Sequence, residues 1–222
     1  CERLDRFSKM NFDFIKGKIK NINIKITESF NKLPPDKNEK SKNYFFRFRR
    51  YSRLNYISKK FTMDPGSDFY QKKKMNRYSG GKIRRFASID KKTLNHVIEL
   101  IKKNFVIFLN PNKNYKFGIH FLRIKCGNNF VGYPVPEGWH KDGFDFVIVL
   151  NIISKNIMGG TTRLKTNMNL DKKDDFAEFL KKGEFIFFDD KKYNHYTDPI
   201  TIGKEKKKSF RDTIVITIKT SN

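Results

Sequence analysis

The chain has 222 residues, 37% hydrophobic and 15% aromatic, with 23 Phe and a formal net charge of +25. That length and that much Phe suit a single domain with a packed interior rather than a disordered chain. No apolar run approaches the roughly 18–20 residues that span a bilayer, and the N-terminal CERLDRFSKMNFDF is charged where a signal peptide would be apolar. Two cysteines, Cys1 and Cys126, are too few for a disulfide framework or a thiolate zinc site. The expectation is a soluble, cytoplasmic protein. Excess Lys and Arg favour phosphate backbones, but here Lys is spread along the chain beside Asn and Ile, which reads as compositional bias rather than a patch.

Residues 1–43 form a polar arm, broken at Leu33-Pro34-Pro35-Asp36 and followed by a solvated KNEKSK loop. From Tyr44 the text becomes YFFRFRRYSRLNY, whose alternation at Phe46 and Phe48 predicts strand or irregular backbone, not an amphipathic helix. The densest basic stretch is YQKKKMNRYSGGKIRRF at 70–86, turning at Ser79-Gly80-Gly81. Asp90 then caps a predicted helix in which Leu94, Val97, Ile98 and Ile101 recur at helical spacing, ending near Asn110-Pro111.

After Pro111 come five strand candidates: KFGIHFLRIKC, DFVIVLNII, TTRLKT, EFIFFDD and DTIVITIKT. Turn residues separate them at Gly127-Asn128-Asn129, Gly159-Gly160 and Lys182-Gly183. The spacing predicts an antiparallel barrel or jelly roll over 111–222, supported by a helical, basic region at 44–110, the whole being one domain over 1–222.

Of the four histidines, His96 sits inside the predicted helix and His120 within a strand, where a structural role is the default. His140 differs. With Asp142 it forms an H-x-D pair at a turn before the apolar strand DFVIVL, so an imidazole and a carboxylate point the same way. His195, just past EFIFFDD, can complete the two-histidine, one-carboxylate face of ferrous oxygenases. H-x-D alone is a weak signal. Its order with the Gly159-Gly160 turn, His195 and then Arg211 on the last strand is far rarer. A 2-oxoglutarate co-substrate needs a fixed cation for its remote carboxylate, and Arg211 offers a bidentate one.

The run VPEGWHKDGFDFVIVLNIISKNIMGGTTRL, then DDKKYNHYTDPI and SFRDTIVITI, resembles the bacterial family of 2-oxoglutarate- and Fe(II)-dependent dioxygenases that includes L-isoleucine dioxygenase, other free-amino-acid hydroxylases and a radical lysine halogenase. The likeness extends upstream to RFRRYSRLNY, to the 70–86 stretch and to FLRIKCG. It implies a double-stranded β-helix (jelly roll, cupin-like) with buttressing N-terminal helices. It further implies His140, Asp142 and His195 on Fe(II), Arg211 on 2-oxoglutarate, and O2 as oxidant. In the halogenase branch Gly replaces the metal carboxylate, so Asp142 favours hydroxylation. Thr197, two residues past His195, is placed to donate a hydrogen bond to the co-substrate.

For a free amino acid as substrate, Arg77 is the candidate for its carboxylate, by position in the resembling enzymes, and Glu137 for its ammonium. Arg123 is expected to face the same cavity. Three other readings stay open. The basic residues Lys72, Lys73, Lys74, Arg77, Lys82, Arg84 and Arg85 could guide a nucleic acid or protein to the iron. The β-sandwich could be a non-catalytic binding module. It could also be a cupin-type zinc or manganese site that recruits His120.

Overall fold

Alternation of apolar and polar residues gives each strand one side that water disfavours, and pairing such strands buries that side continuously. The protein is described by a computed structural model covering residues 13–39, 45–66, 68–73, 75–76, 78, 80–169, 172–205 and 208–221. Its first half holds β1 (Phe14–Lys18), α1 (Ile24–Ser29), β2 (Arg47–Ile57), β3 (Lys60–Asp64), β4 (Asp68–Tyr70), β5 (Ile83–Arg85) and α2 (Lys91–Asn104). Its second half holds β6 (Asn114–Cys126), β7 (Phe146–Lys155), β8 (Ile157–Gly159), β9 (Thr162–Lys165), β10 (Phe176–Glu178), β11 (Glu184–Asp189), β12 (Asn194–Thr197), β13 (Ile200–Ile202) and β14 (Ser209–Ser221).

The five strands expected after Pro111 are β6, β7, β9, β11 and β14. α2 begins where expected, the Asp90 carboxylate accepting the Thr93 amide at 2.9 Å, and stops at Asn104, before a short 3-10 turn at Val106–Phe108. The 44–110 region is less helical than expected. RFRRYSRLNY forms β2, which pairs with β6 from Arg47↔Ile124 to Tyr56↔Tyr115 and so belongs to the main sheet.

That sheet is antiparallel, in the order β1-β11-β7-β14-β6-β2-β3. On one face Phe117, Ile119, Phe121, Ile148, Leu150, Ile214, Ile216 and Ile218 pack beneath Ile26, Phe30, Leu94, Val97 and Ile101 of the helical layer. Phe30 stacks on Phe121 at 4.7 Å. Burying each such side chain contributes roughly 1.5–3 kcal/mol, which makes this layer the main anchor of the fold. On the other face Val147, Val149, Ile186 and Phe188 meet Leu164, Phe176 and Leu180 of the smaller sheet β10-β9-β12 and its loops. Two stacked antiparallel sheets of this kind are a jelly roll. On this second face the main sheet also turns Arg47, Arg49, His120, Arg211 and Thr213 toward one cavity.

Candidate active site

A short bridge between distant segments builds the centre of the site. The loop after β6 turns at Val135, the Gly138 amide donating to its carbonyl at 3.2 Å. His140 then pairs with His195 of β12, their amides and carbonyls exchanging hydrogen bonds of 3.2 and 2.8 Å. This brings the ring centroids to 4.2 Å. Nδ1 of His140 lies 2.9 Å from the Gly138 carbonyl, which makes it the donor and leaves the Nε2 lone pair facing inward.

Asp142 closes the triangle. One carboxylate oxygen is 3.4 Å from Nε2 of His140 and the other 3.5 Å from Nε2 of His195. One ligand atom from each of the three residues lies within 4.8 Å of the others. Gly143, at φ 88°, turns the chain sharply behind Asp142. The amides of Asp142, Gly143 and Phe144 then converge on the Asp190 carboxylate at 2.9, 2.6 and 2.9 Å.

The electrostatics suit a cation. Burial opposes charge on His140, yet Asp142 and then Glu137 outweigh it and push the imidazole up to about 9. Burial likewise opposes ionisation of Asp142, but the two imidazoles hold it well below the usual carboxylate range. Two imidazoles and an ionised carboxylate, gathered in a buried pocket, are the donor set that ferrous iron takes. His120 does not join them. It accepts from Nη2 of Arg49 at 2.6 Å, and burial followed by that guanidinium pushes its pKa well below the ordinary value. The extra ligand of a cupin-type site is therefore missing from the converging group. His96, on α2, contacts Asn23 at 3.1 Å.

The second wall is the polar face of the main sheet. Arg211, Thr213 and Val215 of β14 lie opposite Ile124, Leu122 and His120 of β6, which lie opposite Arg47, Arg49 and Tyr51 of β2. Arg211 is 2% exposed. Its Nη2 donates to Thr162 Oγ1 at 3.1 Å, its Nε has no partner among the described residues, and burial alone pulls its pKa down to about 10. Among the described residues no carboxylate pairs with it. A buried guanidinium in that state is stabilised by an anion from outside, so it fits the remote carboxylate of 2-oxoglutarate. Thr197 is buried beside it, directly across from Thr162 in the β12–β9 register.

The cavity these walls enclose measures about 100 Å³ and also takes in Glu137 and Arg84. Glu137 Oε1 accepts from Asn76 Nδ2 at 2.9 Å and lies 3.9 Å from Nε2 of His140, while its buried Oε2 has no partner among the described residues. Sequence reasoning missed Gln71, whose Nε2 donates to Asp142 at 2.8 Å and whose carbonyl accepts from Arg84. It also missed Arg47, Arg49 and Asp190. The R-F-R alternation of β2 was the available sign for the two arginines.

Of the remaining substrate candidates, only Arg123 falls among the described residues. Arg77 lies outside the described residues, as does Lys74. Arg123, expected in the cavity, is on the opposite face of β6, where it forms a bidentate pair with Asp212 at 2.7 Å through both nitrogens and reaches Asn31 at 3.2 Å. Odd-numbered residues of this strand from Phe117 to Arg123 face the helical layer, and the even-numbered His120 and Leu122 face the cavity. The basic stretch is divided too: Lys72, Lys73, Lys82 and Arg85 are exposed, whereas Arg84 is buried.

Comparison with known proteins agrees with this geometry. L-isoleucine-4-hydroxylase from Bacillus thuringiensis is 27% identical over 182 residues, covering 77% of this chain and 74% of that enzyme. The crystal structure of a bsmA homologue from Methylobium petroleophilum superposes with a TM-score of 0.78 at 19% identity, covering 99% of this chain and 92% of the other. The crystal structure of IDO from Bacillus thuringiensis does so at 0.74 and 18%, covering 100% and 95%. These two share the fold. No described helix is long and apolar enough to cross a membrane. The sequence model of the 2OG-Fe dioxygenases matches residues 27–217, a span that takes in β2, the converging triad and Arg211. On that match the chain belongs to the 2OG-Fe dioxygenase family, enzymes that use Fe(II), 2-oxoglutarate and O2.

Proposed function

We propose that His140 and His195, each through Nε2, and Asp142, through a carboxylate oxygen, hold the ferrous ion, and that Arg211 receives the remote carboxylate of 2-oxoglutarate. Thr162 orients that guanidinium, and Thr197 and Thr213 offer hydroxyls to the same carboxylate. The substrate is a free amino acid or similar small molecule, hydroxylated at an unactivated C–H. When bound, iron and 2-oxoglutarate supply the oxidising power, with succinate and CO2 released.

The chain's own residues bind, orient and shield. Glu137, whose buried Oε2 near the triad has no partner among the described residues, is the acceptor for the substrate ammonium. Arg47, Arg49 and Arg84 give the cavity cations for the substrate carboxylate. Leu122, Val149 and Phe69 line the rest and keep water from the reacting face. Asp142, present where the halogenase branch has Gly, supports hydroxylation.

The observation that carries the reading is Arg211. A buried, unpaired guanidinium is costly to keep, by several kcal/mol, and is retained where an anionic ligand completes it. Arg84 supports a small substrate over a polymer, because the most basic segment of the chain turns this guanidinium inward.

Anaerobic addition of Fe(II) and 2-oxoglutarate is expected to give a weak visible charge-transfer band, absent in His140→Ala and His195→Ala. Free amino acids are then screened for substrate-dependent succinate by mass spectrometry. Retention of the band in both variants would remove the metal assignment. Succinate formation stimulated by oligonucleotides, with steep salt dependence, would remove the amino acid.

A further inference from the structure

Asp190 is the first residue after β11 and is 1% exposed. Its Oδ1 takes the Asp142 amide at 2.9 Å, and its Oδ2 takes the amides of Gly143 and Phe144 at 2.6 and 2.9 Å. The same Oδ1 lies 3.7 Å from Nδ1 of His195, a buried nitrogen with no hydrogen-bond partner among the described residues. Three amides from the loop bearing one triad member, and an imidazole edge from the strand bearing another, thus face a single carboxylate.

The two histidines are supported differently. His140 has the Gly138 carbonyl on its Nδ1. Nδ1 of His195 has no described group at hydrogen-bond distance, and Asp190 is the acceptor facing it. An imidazole that donates Nδ1–H to a carboxylate is fixed in the tautomer whose Nε2 binds metal, and its basicity rises.

We propose that Asp190 is the positioning residue of the metal centre, holding the 142–144 loop through its three amides and accepting the Nδ1 proton of His195 so that Nε2 faces the metal. It touches neither metal nor substrate. The inference rests on the triad holding the iron. A purely structural Asp190 would serve the amides alone and leave His195 free to choose its tautomer.

Two measurements separate these roles. In wild-type protein labelled with ¹⁵N-histidine, long-range proton–nitrogen NMR should find the Nδ1 proton of His195 slow to exchange and shifted far downfield, as in a hydrogen bond to a carboxylate, both in the metal-free protein and with Zn(II) on Nε2. Metal on Nδ1, or a proton exchanging as fast as an exposed one, overturns the proposal. Co(II) titration, followed by its visible ligand-field bands, should show Asp190→Asn and Asp190→Ala binding about 10–100-fold more weakly, with unchanged far-UV circular dichroism. Wild-type affinity in a folded variant also overturns it. Should neither variant fold, the wild-type NMR decides. If wild-type protein binds neither Zn(II) nor Co(II), it is the triad reading that fails.

Discussion

Neighbouring residues of β6 and β14 serve opposite ends. On the helical side, Phe117, Ile119, Phe121, Ile214, Ile216 and Ile218 are at most 1% exposed and wholly apolar. On the cavity side the same two strands present His120, Leu122, Ile124, Arg211, Thr213 and Val215. The backbone ladder is common to both, so the difference lies only in the parity of the residue number. One face supplies the burial that holds the sheet, and the other carries charges that weaken it. Stability and chemistry are therefore separable one residue at a time.

The sharpest break of that comparison is on the cavity side. His195→Ala is expected to take turnover to background and abolish the Fe(II)·2-oxoglutarate band, with little change in the melting temperature of the metal-free protein. Arg211→Met comes next. Losing the guanidinium partner of a buried carboxylate costs about 2–5 kcal/mol, or about 30- to several-thousand-fold in 2-oxoglutarate affinity, measurable by titrating the band. Without ligand the same variant should melt no lower than wild type, because an unpaired buried charge has been replaced by an apolar side chain. A clear drop in melting temperature would argue that Arg211 is part of the scaffold.

Arg123 tests the other face. Its partner Asp212 is 1% exposed, and burial raises the Asp212 pKa while Arg123 pulls it back. Arg123 also covers the Phe210 ring at 4.4 Å. Arg123→Met should destabilise the protein by about 3–5 kcal/mol by stranding that carboxylate. Adding Asp212→Asn should recover much of the loss. The Michaelis constant for 2-oxoglutarate in the folded enzyme should stay within about twofold of wild type. A large rise would return Arg123 to the cavity.

Arg123 also shows what was legible in the sequence. The apolar parity of β6, Phe117, Ile119 and Phe121, already runs on to position 123, so the strand's own pattern placed this arginine on the helical side. Long strands were readable because several alternations fix their phase, and β6, β7, β11 and β14 were all found. Of the strands of three or four residues only β9 was found, through the Gly159-Gly160 turn before it, and β4, β5, β8, β10, β12 and β13 hold too few alternations to be seen. His140, Asp142 and His195 could be picked out by their order along the chain. Asp190 could not, because in FFDD nothing local tells which carboxylate turns inward. Gln71 and Arg84 reach the site only through the β4–β5 pairing, which no periodicity announces.

The smallest effect is expected at Asp145, which belongs to neither face and fastens the end of one strand to another. Its carboxylate accepts the Thr220 amide at 2.7 Å and pairs with Lys191 at 2.6 Å, tying the start of β7 to the last residues of β14. Burial works against its charge, but Lys191 and then the Thr220 amide outweigh this and hold the carboxyl down at about 2. A folded-state pKa below the unfolded one, near 3.8, means the stabilisation is complete above about pH 4 and is lost as the pH falls toward 2. Lys191 is solvated, so the pair is discounted to about 1 kcal/mol, or about 2–4 °C in a domain of this size. Asp145→Asn should lower the melting temperature by that amount at pH 6 and by clearly less at pH 2, where the carboxyl is about half protonated, leaving the charge-transfer band unchanged. An equal drop at both pH values would mean that the Thr220 hydrogen bond, rather than the charge, holds the two strand ends together.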